Sequence, residues 1–231
     1  MLELRNIDLH YGASQAIYDV QLTAEKGRIT CVMGTNGAGK TSLLKVIAGV
    51  HPRSAGSYLL DGVEQSSPSA TQLARSGVGY VPQGRDIFPL LTVEENLETG
   101  FGCLPKVDRR VSDEIYELFP VLREMRSRRG GDLSGGQQQQ LSIGRALVTQ
   151  PKVLLLDEPT EGIQPNIISQ IGQVIAYLRD QGSMAIVLVE QYFDFAHEYG
   201  DTFIALRNGR EVLNGEKEQV CRAELVASVS V

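Results

Sequence analysis

Cysteine is scarce in this 231-residue sequence, and the three present form no framework. Cys31, Cys103 and Cys221 are odd in number, widely spaced and outside any C-x-x-C pair. That excludes a disulfide-stapled scaffold and points to reduced thiols in the cytosol. Long apolar runs are missing as well: no stretch approaches the ~18 residues of a membrane span. The opening Met1-Leu2-Glu3-Leu4-Arg5 lacks the apolar core of a signal peptide. Positive charge is in deficit, with 22 Lys and Arg against 28 Asp and Glu and a formal net charge of −6. Such a balance argues against a broad nucleic-acid surface. It leaves room for a small anion site, because local dipoles and one lysine can hold a nucleotide. There is no internal repeat and no low-complexity linker. The chain therefore reads as cytosolic, with any membrane role carried by other subunits. Its 42% hydrophobic content is ordinary for a globular protein with a sizeable core, and the length allows one or two domains.

One stretch organises the rest. Gly34-Thr35-Asn36-Gly37-Ala38-Gly39-Lys40-Thr41-Ser42 fits the phosphate-binding pattern G-x-x-x-x-G-K-[ST]. The apolar run Ile29 to Met33 precedes it and a helical pattern from Thr41 to Ala48 follows, which is the strand–loop–helix context the pattern requires. Glycines let backbone N–H groups turn inward around phosphate oxygens, and the helix adds its positive end. Lys40 can bridge the outer phosphates, and the Thr41 hydroxyl can ligate Mg²⁺.

Around this loop the chain alternates strand and helix signals. Leu2 to Leu9 alternates apolar and polar residues with one slip near Asn6, a half-buried strand with a bulge. Ala16 to Leu22 reads as a second strand, giving an antiparallel start. Tyr11 can stack on a base or simply close a strand end, and position alone favours the second. Ser57 to Leu60 with Asp61-Gly62 reads as a hairpin. Val78 to Val81 is a short strand ending before Gln83, which either reaches into a crevice there or faces solvent. From Arg85 the composition turns helical. Ile87, Phe88, Leu90 and Leu91 form an apolar cluster, Thr92 to Glu95 is a capping box, and the spacing predicts a helix over 108–119. Arg123, Arg126, Arg128 and Arg129 read as a solvated helix end. Leu133-Ser134-Gly135-Gly136-Gln137 opens a long helix through Val148, with Ser134 and Gln137 spaced as a capping box. A glycine pair inside a helix start costs ~1 kcal/mol per residue. Here it would let a phosphate approach bare N–H groups at a positive helix end, so this is read as a second anion site. Val153 to Leu156 is a buried parallel strand ending in Asp157 and Glu158, where α/β sheets place ligands. Asp157 can hold Mg²⁺ and Glu158 can polarise a water. Helix 167–178, strand 185–189 ending at Glu190-Gln191, and a hairpin about Asn208-Gly209 complete the pattern. The sequence ends soon after Val220, with no room expected for a further regulatory domain.

Tyr11, the phosphate loop, Gln83, the run Leu133 to Gln137 and the run Leu154 to Pro159 stand in one order over residues 2 to 220. In this the chain resembles the ATP-binding subunit of an ABC transporter. The resemblance implies an α/β fold: a P-loop NTPase (RecA-like) core, an N-terminal antiparallel β subdomain and an inserted helical subdomain at about 85–148, all within one ATP-binding domain over 1–231. It implies an ATPase that works as a dimer, each ATP lying between one chain's phosphate loop and the other's Ser134, Gly135, Gly136 and Gln137. By position, Tyr11 would stack on adenine and Gly34 to Ser42 would hold the phosphates. Thr41 and Gln83 would hold Mg²⁺, with Asp157 beside them, and Glu158 would be the general base. Gln83 to Leu91 would receive a helix from a transmembrane permease, placing the chain on the inner face of the plasma membrane.

Two positions depart from the family's habit. Gln191 stands where most members carry histidine; it can donate to a γ-phosphate but cannot act as an acid. Gln164 stands where an aspartate usually faces the partner chain. Both departures are similar to importers of branched-chain amino acids and of urea. The runs Gly84 to Pro89, Gln137 to Gln140, Glu161 to Pro165 and Gln191 to Ala196 look most like the urea-importer ATPase. The sequence reading is thus a urea-importer ATPase paired with a second, similar or identical ATPase chain. Branched-chain amino acid import is the alternative, and a soluble non-transport ABC ATPase is the alternative of another class.

Overall fold

A computed structural model describes residues 1–229. The antiparallel start consists of β1 (Leu2–Tyr11) and β2 (Ser14–Ala24), followed by β3 (Ile29–Met33) and α1 (Lys40–Ile47). Next come β4 (Ala55–Leu60), β5 (Val63–Glu64), α2 (Ala70–Arg75) and β6 (Val78–Val81). A helical stretch follows with α3 (Val93–Glu98), α4 (Asp113–Leu118), α5 (Pro120–Glu124) and α6 (Gly135–Val148). The chain then returns through β7 (Val153–Asp157), α7 (Pro165–Asp180), β8 (Ala185–Glu190) and α8 (Phe193–Tyr199) to β9 (Thr202–Arg207), β10 (Arg210–Glu216) and α9 (Arg222–Val229).

The strands run in the order β5-β4-β1-β2-β10-β9-β3-β8-β7-β6. β9, β3, β8, β7 and β6 are parallel, whereas β5, β4, β1 and β2 are antiparallel, the two regions meeting at the single pair Arg210↔Tyr18. Strand pleating sends alternate side chains to two different cores. Cys31, Leu154, Leu156, Ile186 and Leu188 pack with α6 and α7. Val32, Val153, Leu155 and Val187 pack with Leu43, Leu44 and Ile47 of α1 and with β1 and β2. Both faces of the parallel strands are therefore covered, as their unbroken apolar composition requires. The slip anticipated near Asn6 is a bulge: Asn6 has φ +51 and the β1–β2 register shifts between Leu4 and Ile7.

Two sequence expectations are corrected. The helix read over 108–119 begins only at Asp113, with a 3₁₀ turn at 106–108 before it. Ser112 stands at the N-cap position without a side-chain cap bond, and Asp113 and Glu114 occupy the first turn, where acids suit the positive helix end, so the helix starts after the apolar spacing that begins at Val111. Pro120 then opens a separate helix, its missing N–H costing nothing there. The closing region also carries α9, which the sequence reading left out; Leu225 buries it on the larger core.

Within the helical stretch the loop after β6 is fastened by Asn96 of α3, which is fully buried. Its Oδ1 accepts from the Phe88 N–H at 2.8 Å, and its Nδ2 donates to the carbonyls of Phe88 (2.9 Å), Leu91 (3.2 Å) and Thr92 (2.9 Å). Asn96→Ala would leave the Phe88 N–H without its acceptor, whereas the Phe88, Leu91 and Thr92 carbonyls keep the Leu91, Gly130 and residue-96 N–H groups as donors. We expect a loss of about 2 kcal/mol, seen as a thermal midpoint lower by about 5 °C, together with faster amide exchange at Phe88. An unchanged midpoint would contradict the fastening role.

Candidate functional site

The parallel strands all end on one edge of the sheet, and their register aligns Met33 with Glu190, Asp157 with Val189, and Val81 with Leu156. The segments that follow them converge there on a cleft of about 520 Å³. Asn36, Gly37, Gly39, Lys40, Thr41 and Ser42 line it, with Gln83 and Glu158 opposite. Gly39 caps α1 at φ +106, and a Cβ there would stand 2.7 Å from Ile17 Cδ1 and 3.2 Å from the Ala16 carbonyl. Gly37, at φ +80, meets nothing within 4 Å of a Cβ position, so the loop presents bare backbone to open space. The loop rests on the β9–β10 turn, whose Gly209 N–H donates to the Ala38 carbonyl at 2.9 Å.

Lys40 is 4% exposed, and its Nζ donates to the carbonyls of Gly34 (2.9 Å) and Thr35 (3.1 Å). The same atom lies 3.2 Å from Glu158 Oε1. That carboxylate, on a residue 7% exposed, also accepts Gln191 Nε2 at 2.7 Å and, on Oε2, Gln83 Nε2 at 3.1 Å. Glu158 itself sits at φ +46, and its N–H still pairs with the Val189 carbonyl. A left-handed conformation in a residue with a side chain marks a site held by its surroundings.

Asp157 is 1% exposed; its Oδ1 accepts the Thr41 hydroxyl and its Oδ2 the Tyr80 hydroxyl, each at 3.2 Å. Burial raises the Asp157 pKa above the ordinary carboxylate value, against the lowering effect of those two hydroxyls. Burial also raises the Tyr80 pKa, keeping that phenol a donor. The neighbouring groups are oxygen donors: Thr41 hydroxyl, Asp157 carboxylate, and the Gln83 amide, whose nitrogen is the atom engaged by Glu158 and Glu161. Hard oxygen ligands beside an anion cradle fit Mg²⁺, which prefers one or two protein ligands plus phosphate oxygens.

The structure brings Gly34 to Ser42, Gln83, Asp157, Glu158 and Gln191 together. Tyr11 lies at the margin, 40% exposed, its hydroxyl 3.4 Å from Ser42 Oγ and its ring edge-on to His51. Ser134 to Gln137 does not join this cleft. The segment starts α6 with a complete capping box, Ser134 N–H to Gln137 Oε1 at 2.9 Å and Gln137 N–H to Ser134 Oγ at 3.4 Å. Its glycines also have a use within the chain that the sequence did not reveal: a Cβ on Gly135 would be 3.0 Å from the Arg85 guanidinium, and one on Gly136 3.0 Å from Ile167. Tyr18, Asn208 and Tyr80 were missed as well. Tyr18 and Asn208 line the cleft, and Tyr80 holds Asp157. Asn208-Gly209 carried a turn signal, but its placement under the phosphate loop depends on β9 pairing with β3.

Comparison with known proteins agrees with this geometry. Residues 17–161 match the family model described as ABC transporter. The high-affinity branched-chain amino acid transport ATP-binding protein BraG of Pseudomonas aeruginosa is 42% identical over 93% of this chain and 92% of its own length. The probable branched-chain amino acid transport ATP-binding protein LivF of Archaeoglobus fulgidus is 37% identical over 96% and 95%. Among solved structures, a dimeric ATP-binding cassette in a post-hydrolysis state with ADP and Pi superposes with a TM-score of 0.82 at 25% identity, covering 94% of this chain and 99% of that one.

Burial of Asp157 sets a pH dependence. Its folded pKa lies above the unfolded value, so wild-type stability falls as pH rises through that window, because a buried charge must form. Asp157→Asn carries no such charge, and its amide can exchange hydrogen bonds with both hydroxyls. In metal-free buffer the variant should therefore match wild type near pH ~4 and become the more stable of the two towards pH ~8. Urea midpoints across that range would show it, and a difference independent of pH would refute the burial argument.

Proposed function

This chain belongs to the ABC transporter family and is an ATPase subunit of an importer; from that premise we propose that the importer carries branched-chain amino acids. The observation that carries the proposal is near-full-length similarity to two proteins named for that transport, at 42% and 37% identity. The urea reading rested on short runs such as Gly84 to Pro89 and Gln191 to Ala196. Likeness over nine-tenths of the chain outweighs them, and the amino acid alternative takes their place.

In this reading residues 1–231 form one ATP-binding domain with an inserted helical part at about 85–148. Triphosphate entering the cleft competes with the Gly34 and Thr35 carbonyls and with Glu158 for the protons of Lys40. Glu158, held by Gln83 and Gln191, then accepts a proton from the water that attacks the γ-phosphoryl, and ATP becomes ADP and phosphate. Thr41, Gln83 and Asp157 would hold Mg²⁺, which would supply positive charge against the developing charge on the phosphates. Tyr11 stacks on the adenine from the rim. Ser134, Gly135, Gly136 and Gln137 serve the nucleotide of a second ATPase chain, as two anion-binding elements that one chain holds apart require. The solved dimeric cassette supports that pairing.

No helix among the described residues is long and apolar enough to cross a membrane, so transport depends on separate permease subunits. Their docking surface is the loop Gln83 to Leu91, where Leu90 is 78% exposed and Phe88 is braced by the Arg145 guanidinium at 5.4 Å. Exposed apolar groups on a fastened loop suit a partner helix.

Two experiments test the reading. Glu158→Gln should keep ATP binding and lower turnover by ~10²–10⁴-fold; near-normal turnover would count against Glu158 as base. Deleting the gene and following labelled leucine and labelled urea uptake separates the solutes. Loss of leucine uptake with urea uptake intact is expected, and the reverse would restore the urea reading.

A further inference from the structure

Glu190 ends β8 as a carboxylate withdrawn from water: the residue is 2% exposed, although Gln191 beside it is open to solvent. A buried charge is costly unless donors meet it, and here they come from two segments. Oε1 accepts the Thr160 N–H at 3.2 Å and the Thr160 hydroxyl at 2.8 Å. Oε2 accepts the N–H of Gln191 at 3.1 Å and that of Tyr192 at 3.2 Å. Burial raises the Glu190 pKa against the lowering effect of these same donors. One oxygen thus serves the segment after β7 and the other the segment after β8. Both segments touch the chemistry. Thr160 follows closely on Glu158, whose φ of +46 persists only where the surroundings impose it. Gln191 donates from Nε2 to Glu158 Oε1 at 2.7 Å. The contacts close a ring from Glu158 along the chain to Thr160, across to Glu190, on to Gln191 and back to Glu158. Glu190 is not among the groups lining the cleft, so it bears on the reacting atoms through this ring.

We propose that Glu190 is a positioning residue that fixes the Gln191 amide against Glu158 by clamping the segments after β7 and β8 to each other. The inference rests on the reading of Glu158 as the base of an ATPase. Lys40 Nζ and Gln191 Nε2 meet the same oxygen of Glu158. Once triphosphate draws the lysine to itself, Gln191 is the donor left on that oxygen, and its placement sets where the carboxylate points. An ionised carboxylate suits the clamp because it only accepts, with room for two donors on each oxygen. Glutamine in its place would turn an amide NH₂ towards donors on one side or the other. Aspartate would keep the charge but is one methylene too short to hold both segments.

The test uses the full-length chain purified with the chains that accompany it from native membranes. ATP turnover, nucleotide affinity and thermal midpoint are measured for wild type, Glu190→Gln, Glu190→Asp, Gln191→Ala and the double variant Glu190→Gln/Gln191→Ala. Glu190→Gln should lower kcat by about 10- to 100-fold, the loss that misplacement of reacting groups brings. Nucleotide affinity should stay within about twofold, because the interaction lost is not one that binds the nucleotide. Glu190→Asp should remain slow. In the Gln191→Ala background, Glu190→Gln should cost less than about twofold in kcat, because the two residues act as one unit. A residue that only supports the fold would cost as much in that background as in wild type. Thr160→Val, which removes one donor to Glu190, replaces Glu190→Gln in the same cycle if that variant does not fold. Wild-type kcat in the folded variant, full activity in Glu190→Asp, or additive losses in the double variant would each overturn the proposal. A wild-type preparation without turnover, or wild-type turnover in Glu158→Gln, would instead sink the reading beneath it.

Discussion

The Glu158 carboxylate is the point at which the molecule is tied together. A buried charge must be met by donors or it destabilises the fold by several kcal/mol. Here the donors come from three separate parts of the sequence: Lys40 at the start of α1, Gln83 after β6 and Gln191 after β8. They can meet only if the strands that deliver them are parallel and end together, which the register of β3, β6, β7 and β8 provides. The left-handed backbone at Glu158 turns the side chain into that company while its N–H continues the ladder to Val189. Strand order, loop geometry and the placement of the acid are thus one constraint.

A second constraint separates the anion-binding elements of the chain. The N-terminus of α6 is capped by its own Ser134 and Gln137 and sits against Arg85 and Ile167, apart from the phosphate loop. Its glycines are packing positions: a Cβ on either would crowd a neighbouring side chain, Arg85 or Ile167, at 3.0 Å. A helix start held in this way has a fixed position and direction for its positive end.

The transported solute has no counterpart in this geometry. The polar groups at the sheet edge line the cleft, and Phe88 and Leu90 stand exposed on the loop after β6. Short runs of sequence are therefore a poor guide to the solute. Similarity over the whole chain is the better one, because it reflects the partner surfaces as well as the nucleotide site. The importer class was thus legible from the sequence, while for the solute whole-chain similarity favours the branched-chain amino acid alternative over the urea reading.

By itself the sequence determined the local elements and their chemistry. The limits of β6 and β7, the end of α6, the capping boxes at Thr92 and Ser134 and the bulge at Asn6 all follow from residue patterns a few positions long. It also determined the phosphate loop, since glycine, lysine and threonine at fixed spacing carry their own reason. Only the tertiary structure decided that Tyr80 holds Asp157, that Tyr18 and Asn208 line the cleft, that Arg85 covers Gly135, and that Gln191 donates to Glu158. The partners in those contacts lie from 33 to 77 positions apart where a hydrogen bond joins them. They are brought together by strand order and loop path, which no short stretch of residues encodes, and so they emerge only when the sheet is assembled.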